Sequence, residues 1–233
     1  MNALDLLEQL GKKNLVDLTH DLEEGIPTWP TQPKFEAETG NHQDWGDDSY
    51  WRKITFCEHS GTHIDASAHF FKGRQTVDEI PLTQIIGRAA NIDATHLGER
   101  GLESVDDIRA FEEKYGEIRE GDIVLFRFGW DERWALGAAG QAFMKDWPGL
   151  SKEAAEYLRD KGVHAVGGDT LAIDAPDQGD PAHKVLLGSD INIIENVDRL
   201  SEMPPYFAVI GLPCRFKGGS GSTMRLIAIL DEA

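Results

Sequence analysis

Cysteine is scarce in this chain of 233 residues, which has only Cys57 and Cys214. Neither belongs to a Cys-x-x-Cys pair, and this argues against a structural zinc site built from thiolates. Because the two cysteines lie far apart in the sequence, we expect buried free thiols of a reducing compartment. The sequence leaves a disulfide between them open.

Positive charge is also scarce. The 23 lysines and arginines face 41 aspartates and glutamates, which gives a formal net charge of -18. Nucleic acids and anionic membrane surfaces are polyanions, so we expect this chain to bind neither. No apolar stretch approaches the roughly 18 residues that cross a bilayer. Residues 1–10 carry acids where a secretory signal needs basic and then apolar residues, so we expect a short amphipathic helix there and a cytoplasmic location.

Helical and strand patterns are mixed along the chain. Hydrophobic residues make up 40% of it, and no linker-like segment divides it, so residues 1–233 are predicted to form one α/β domain. Serine caps followed by acids and a terminal glycine predict helices at 104–115 and 151–161. Apolar runs predict one strand around Ile92 and others at residues 14–19, 51–57, 123–128, 163–167, 191–194, 207–212 and 224–230.

The most informative segment is His59-Ser-Gly-Thr-His63-Ile-Asp65-Ala-Ser-Ala-His69, which holds three of the eight histidines. An even spread would put roughly 0.4 histidines in a window of this length. Imidazole nitrogens and carboxylate oxygens are usual ligands of Zn²⁺ and Mn²⁺. Two histidines and one aspartate make three protein ligands and leave a position for water, which is typical of catalytic sites.

The local geometry of this segment can also be predicted. Gly61 and Thr62 disfavour a regular helix, so His59 and His63 should converge across a turn. His63 and Asp65 are two residues apart and should point to the same side of an extended segment. A single histidine is more often a hydrogen-bonded core residue than a ligand. The clustering favours a metal site instead.

The same segment resembles the HxGTHxDxxxH signature of the cyclase family of metal-dependent hydrolases, which includes bacterial kynurenine formamidases and isatin hydrolases. Residues 25–30, 146–151, 168–174 and 183–196 resemble further blocks of the family, so the resemblance covers roughly residues 14–230. It implies the family's swivelling β/β/α fold. Thr31, Ser67 and the segment 221–225 depart from the family pattern, and these departures concern the substrate rather than the metal.

The resemblance implies two metal sites that share one carboxylate. His59, His63 and Asp65 would bind the first ion, and Asp65, His183 and Glu195 the second. Zn²⁺ is the expected metal, as one or two ions, with Mn²⁺ as an alternative. The resemblance further implies a homo-oligomer.

The sequence around His183 and Glu195, apart from the resemblance, supports a role as metal ligand for Glu195 more than for His183. His183 lies in a predicted helix that begins at Asp180-Pro181 and ends at Gly188, where it resembles any helical histidine. Glu195 follows the apolar strand 191–194. A carboxylate at the end of a buried strand needs a partner, and a cation supplies one.

The resemblance also implies that His69 is the general acid/base and that Trp29 lines the substrate pocket. Trp29 and Phe70 favour a flat aromatic substrate, although core packing is the more common role of a tryptophan. Arg52, Arg74 and Arg225 are candidates for holding a substrate carboxylate, but each is more often a surface charge.

A bound cation that activates water and polarises a carbonyl predicts hydrolysis of an amide or ester. The first hypothesis is cleavage of an amide C–N bond, in an N-formyl arylamine such as N-formylkynurenine or in a cyclic amide such as isatin. The alternative is lactone hydrolysis or cyclase/dehydratase chemistry at the same site. A third hypothesis, a metal-binding or ligand-binding protein without catalysis, leaves His69 without a role.

Overall fold

The structure is a computed structural model that describes residues 2–231. Its helices begin and end close to the predicted capping residues. Ser104 accepts a hydrogen bond from the amide of Asp107, and Ser151 accepts one from the amide of Ala154. The α-helices of the described residues are α1 (Ala3–Leu10), α2 (Val105–Tyr115), α3 (Lys152–Lys161) and α4 (Pro181–Leu187). All four were predicted from the sequence.

Each predicted strand has a counterpart in the structure, whereas four strands were missed: the six-residue strand Glu36–Asn41 and three short strands of two or three residues. Two- and three-residue strands carry too little periodicity to be recognised. The strands are β1 (Asn14–Asp17), β2 (Glu36–Asn41), β3 (Trp51–Thr55), β4 (His63–Asp65), β5 (Ile86–Asp93), β6 (Leu102–Glu103), β7 (Ile123–Arg127), β8 (Gly149–Leu150), β9 (Ala165–Gly168), β10 (Asn192–Glu195), β11 (Tyr206–Pro213) and β12 (Gly221–Leu230).

Seven strands close into a barrel-like sheet in the order β12-β11-β5-β7-β9-β10-β4, and β4 pairs again with β12. β12 permits this closure because it is long enough to pair with two different strands along the same edge. Its segment 221–223 pairs with β4, and its segment 227–230 pairs with β1. The pairs among β5, β7, β9 and β10 are parallel, and the others are antiparallel.

One strand prediction needs correction. Residues 51–57 were expected to run as a strand directly into the metal motif, but β3 ends at Thr55 and pairs only with β2. This two-stranded ribbon lies outside the closed sheet, and all five residues of β3 are exposed. The motif therefore enters the sheet through its own strand, β4.

The two faces of the closed sheet bury different residues. Along β7, Ile123 and Leu125 belong to the cluster inside the barrel, whereas Val124 and Phe126 pack against the helices. This alternation follows from the period of two in an extended chain, and burial on both faces produces the continuous apolar run seen in the sequence. The predicted α/β class is confirmed.

The structure confirms only part of the prediction for the two cysteines. Cys57 and Cys214 are both free, as predicted. The expectation that they are buried is wrong, because Cys57 is half-buried and Cys214 is exposed. No helix within residues 2–231 is long and apolar enough to span a membrane.

Close backbone approach between β9 and β10 gives a testable consequence. A Cβ atom added to Gly167 would lie 2.0 Å from the carbonyl oxygen of Ile194. We expect Gly167→Ala to lower the free energy of unfolding by about 1–3 kcal/mol, because two paired strands must separate. Gly98→Ala is the control, since a Cβ there meets nothing within 4 Å. Equal urea midpoints for the two variants would contradict the described packing.

Candidate metal centre

The centre forms where β4 lies between β10 and β12. His63 pairs with Glu195 of β10 on one side and with Thr223 of β12 on the other. Ile64 belongs to the cluster inside the barrel, so its two neighbours in β4 point to the outer face. The His63 Nε2 atom lies 3.4 Å from Asp65 Oδ1 and 3.4 Å from Glu195 Oε2. The prediction that His63 and Asp65 share one side is therefore confirmed.

A turn brings His59 back to the same place. Gly61 adopts a φ of 62°, a left-handed conformation that favours glycine. The rings of His59 and His63 lie 5.3 Å apart, and His59 Nδ1 lies 2.6 Å from Asp65 Oδ1. The predicted convergence across a turn is confirmed. Asn196 fixes this turn by donating its side-chain amide to the Gly61 carbonyl at 2.9 Å.

Helix α4 supplies His183. Its Nε2 atom lies 3.3 Å from Glu195 Oε1 and 3.7 Å from Asp65 Oδ2. Asp180 is the N-cap residue, as predicted, but its side chain makes no capping hydrogen bond. Asp174 does so instead, because it accepts the amides of Ala182 and His183 at 2.8 and 2.9 Å.

Each of the three histidines has one ring nitrogen that faces away from Asp65 and Glu195. A hydrogen-bond acceptor holds that nitrogen. His63 Nδ1 donates to the Gly61 carbonyl at 2.8 Å, and His183 Nδ1 donates to Asp174 Oδ2 at 2.7 Å. His59 Nε2 lies 2.9 Å from Ser220 Oγ. Ser220 itself donates to a Glu58 carboxylate oxygen, so it accepts from His59. The other nitrogen of every ring is thus directed toward Asp65 or Glu195.

The electrostatics of the cluster require positive charge between its members. Burial alone would lower the pKa of His63, but hydrogen bonds to Asp65 and Glu195 outweigh it and raise that pKa to about 10. Burial would likewise raise the pKa of Asp65, but the charge of His59 and hydrogen bonds from His183 and the other histidines lower it well below its usual range. A divalent cation would supply the same positive charge. The donor set of imidazole nitrogens and carboxylate oxygens fits Zn²⁺ or Mn²⁺.

The grouping of donor atoms differs from the one implied by the resemblance, because His59 and His63 fall in separate groups and His183 is grouped with Asp174 and Asp180. His63, Asp65 and Glu195 offer donor atoms within 4.8 Å of one another, and so do His59, Asp65 and His69. The His69 ring lies 4.1 Å from that of His59 and makes no side-chain hydrogen bond to another described residue. His69 is therefore close enough either to act on a bound substrate or to bind an ion.

A cavity of about 470 Å³ opens on these groups. Trp29 lies at this cavity with 42% of its surface exposed, and its ring meets that of Trp147 edge-on at 6.0 Å. The ring of Phe70 stacks on that of His183 at 4.9 Å. The residues that line the cavity are Trp29, Thr31, Gln32, His59, His63, Asp65, His69, Phe70, Leu171, Ala172, Asp180, His183 and Glu195. The structure thus brings together the residues predicted to bind metal, to transfer the proton and to line the pocket as aromatic side chains.

The three arginine candidates are not part of this cavity. Arg225 pairs with Asp17, and Arg74 pairs with Asp190. Arg52 lies on the exposed ribbon strand β3. The structure therefore favours the alternative that these arginines are surface charges, and a role in holding a substrate carboxylate stays a prediction.

Comparison with known proteins agrees with this geometry. Residues 16–175 match the model of the Cyclase family, described as "Putative cyclase". The chain belongs to the Cyclase family. This confirms the resemblance that the HxGTHxDxxxH segment indicated.

Individual members of the Cyclase family are similar over almost the whole chain. Isatin hydrolase A from Ralstonia solanacearum has a TM-score of 0.88 and 30% identity, covering 99% of this chain and 98% of that one. Kynurenine formamidase from Erythrobacter litoralis is 28% identical over 95% of both chains. A predicted metal-dependent hydrolase from Bacillus stearothermophilus has a TM-score of 0.74 and 28% identity, covering 93% and 98%. The cyclase-like α/β fold is thereby confirmed.

Sequence reasoning missed the residues that orient the ligands. Asp174 ends the block 168–174, which resembles a family block, but no role was assigned to it. Glu58 and Ser220 orient His59, yet they lie 162 residues apart in the sequence. Only the position of Asp174 in a recognised block offered a signal.

We expect Asp174→Asn to weaken metal binding by about 10- to 100-fold, as is typical when a group that orients a histidine ligand is replaced. The variant keeps the side-chain volume but replaces the carboxylate that accepts the hydrogen bond from His183 Nδ1. Asp177→Asn is the matched control, because Asp177 is an exposed carboxylate of the same loop. Competition with a metal chelator measures both affinities. Equal metal affinities of the two variants would show that Asp174 only caps helix α4.

Proposed function

We propose that this chain is a metal-dependent hydrolase that cleaves the amide C–N bond of a small aromatic substrate. The observation that carries the proposal is the orientation of the three histidines. Each has one ring nitrogen held by an acceptor, which leaves the other directed at Asp65, Glu195 or both, beside a cavity. Metal centres commonly orient their histidine ligands in this way, by a hydrogen bond to the ring nitrogen that does not bind the metal.

His59, His63, Asp65, His183 and Glu195 would hold the metal. We propose Zn²⁺, in one or two ions that share Asp65, with Mn²⁺ as the alternative. When bound there, the cation supplies Lewis acidity and lowers the pKa of a coordinated water. Saturation of this centre at one equivalent would exclude a second ion there.

We assign proton transfer to His69. Its ring is half-buried at the cavity and has no hydrogen-bonded partner in the described residues to fix it elsewhere. Cleavage of an amide needs a proton on the departing nitrogen, and a neighbouring imidazolium can donate it. Burial lowers the pKa of His69, so the protonated fraction falls as the pH rises through that lowered pKa.

Trp29 and Phe70 supply apolar walls at the cavity mouth and beside His183. The relatives named isatin hydrolase and kynurenine formamidase indicate N-formyl arylamines and cyclic aryl amides as first substrates to test. Turnover of N-formylkynurenine, isatin and simple lactones by metal-loaded protein tests the assignment. Lactone turnover alone would favour the second hypothesis, and no turnover of any amide or ester would favour a binding protein. A homo-oligomer and a cytoplasmic location stay predictions.

We expect His69→Ala to keep its metal and fold but to lose about 10²- to 10⁴-fold in kcat, the usual contribution of a positioned acid/base. The wild-type rate should fall as the pH rises through the lowered pKa of His69, because His69 then loses its proton. The rate of the variant should lack this fall. Substrates with good leaving groups should suffer least, because they depart without a proton.

His42→Ala is the control for this experiment, because His42 lies outside the cavity beside Trp45 and Tyr50. Elemental analysis of both variants separates the two roles of His69. A loss of metal in proportion to activity would make His69 a ligand. Full activity would place the acid/base elsewhere.

We expect Trp29→Ala to raise KM for an aromatic amide by roughly 3- to 10-fold, which corresponds to the loss of one aromatic contact. KM for a small aliphatic formamide should change less, because carbonyl activation does not depend on Trp29. Trp45→Ala is the control, since Trp45 is 65% exposed and lies outside the cavity. Equal effects of Trp29→Ala on both substrates would assign Trp29 to packing against Trp147.

A further inference from the structure

A second cluster of potential ligands lies outside the cavity of the candidate metal centre. His96 follows β5, Glu103 ends β6, and Asp107 lies in the first turn of α2. These residues offer donor atoms that all lie within 4.8 Å of one another. None of them lines the cavity described above. His96 and Asp107 line a separate cavity of about 500 Å³.

Glu103 is the unusual member of this cluster. Its side chain is fully buried, with 0% exposure, and neither carboxylate oxygen has a hydrogen-bond partner. Its backbone is fixed, because β6 pairs with β8 and the Ser151 amide donates to the Glu103 carbonyl. A buried carboxylate without a partner is strongly unfavourable.

The other two members each keep one donor atom available. Asp107 Oδ2 accepts hydrogen bonds from the amide and hydroxyl of Ser104 in the helix cap. Its Oδ1 atom lies 3.7 Å from His96 Nε2. The cap thus orients the Asp107 carboxylate while leaving Oδ1 directed toward His96.

Nearby cationic side chains do not neutralise Glu103. Lys114 and Arg127 line the same cavity, and Arg127 Nη1 lies 3.5 Å from Asp93 Oδ2. Neither reaches a Glu103 oxygen. Burial, with the charges of Asp107 and Asp93, raises the pKa of Glu103 to about 8. Protonation would remove the charge, but the new hydroxyl would still lack an acceptor.

We propose that His96, Glu103 and Asp107 bind a divalent transition-metal ion at a second, structural site. One imidazole and two carboxylates suit Zn²⁺ or Mn²⁺ better than Ca²⁺, which prefers oxygen alone. The two carboxylates balance the charge of one such ion. Bound there, the ion links the segment after β5 to β6 and to the start of α2, and it gives Glu103 its missing partner.

Zn²⁺ stoichiometry tests the proposal directly. Wild type, His96→Gln, Glu103→Gln and the control Asp106→Asn are equilibrated with Zn²⁺, desalted and analysed for metal. Asp106 neighbours Asp107 but is 94% exposed. We expect wild type and Asp106→Asn to hold one more equivalent than the other two variants, whose affinity at this site should fall by at least about 100-fold. Equal stoichiometry in all four proteins would overturn the proposal.

Thermal unfolding with and without Zn²⁺ gives a second measurement that does not depend on catalysis. Without metal and above about pH 8, Glu103→Gln should be more stable than wild type, because Glu103 then carries a buried charge without a partner. With Zn²⁺, wild type should gain more in Tm than either His96→Gln or Glu103→Gln. Equal gains in Tm would contradict the proposal. His96 is 53% exposed, so its replacement should leave the fold intact.

Hydrolytic activity separates this proposal from the proposed function. All four proteins should show the same turnover once the candidate metal centre is loaded, because none of the substituted residues lines the substrate cavity. Loss of the extra equivalent with unchanged turnover supports a structural ion. Loss of turnover in proportion to that equivalent would contradict a structural role.

Discussion

Two buried carboxylates impose the main constraint on this fold. Asp65 and Glu195 are 1% and 5% exposed, and both project from strands of the closed sheet toward the same place. Burying a charge without a partner costs several kcal/mol. The surrounding structure meets this cost by directing histidines at the two acids from three separate segments. The closed sheet and helix α4 are therefore arranged around a site that needs positive charge.

Strand register is the means by which that arrangement is built. β4 is only three residues long, yet it pairs with β10 on one side and β12 on the other. Moving β4 by one residue against β10 would turn His63 and Asp65 into the barrel interior, because side chains alternate along a strand. It would also expose Ile64 to the polar site. Apolar packing inside the barrel and ligand geometry outside it therefore select the same register.

The sequence predicted the parts of the site that are local. The spacing of His63 and Asp65 and the turn at Gly61 were sufficient to place three proposed ligands together, and the apolar runs identified most of the long strands. The position of His183 beside Glu195 depends on how α4 packs on β10, which no local pattern encodes. The resemblance to a family was needed for that step. Asp174 and Glu103 were missed for the same reason, because their importance comes from partners that they have or lack in three dimensions.

The site also separates activation from recognition. The proposed ligands lie on the paired strands β4 and β10, on helix α4 and in the turn at Gly61, where neighbours restrict their movement. Trp29 and Gln32 lie instead in the irregular segment between β1 and β2, at the mouth of the same cavity. Changes in that segment can alter the shape of the mouth without disturbing the register that aligns the carboxylates. Substrate preference can therefore diverge among chains of this fold while the metal-binding chemistry is retained.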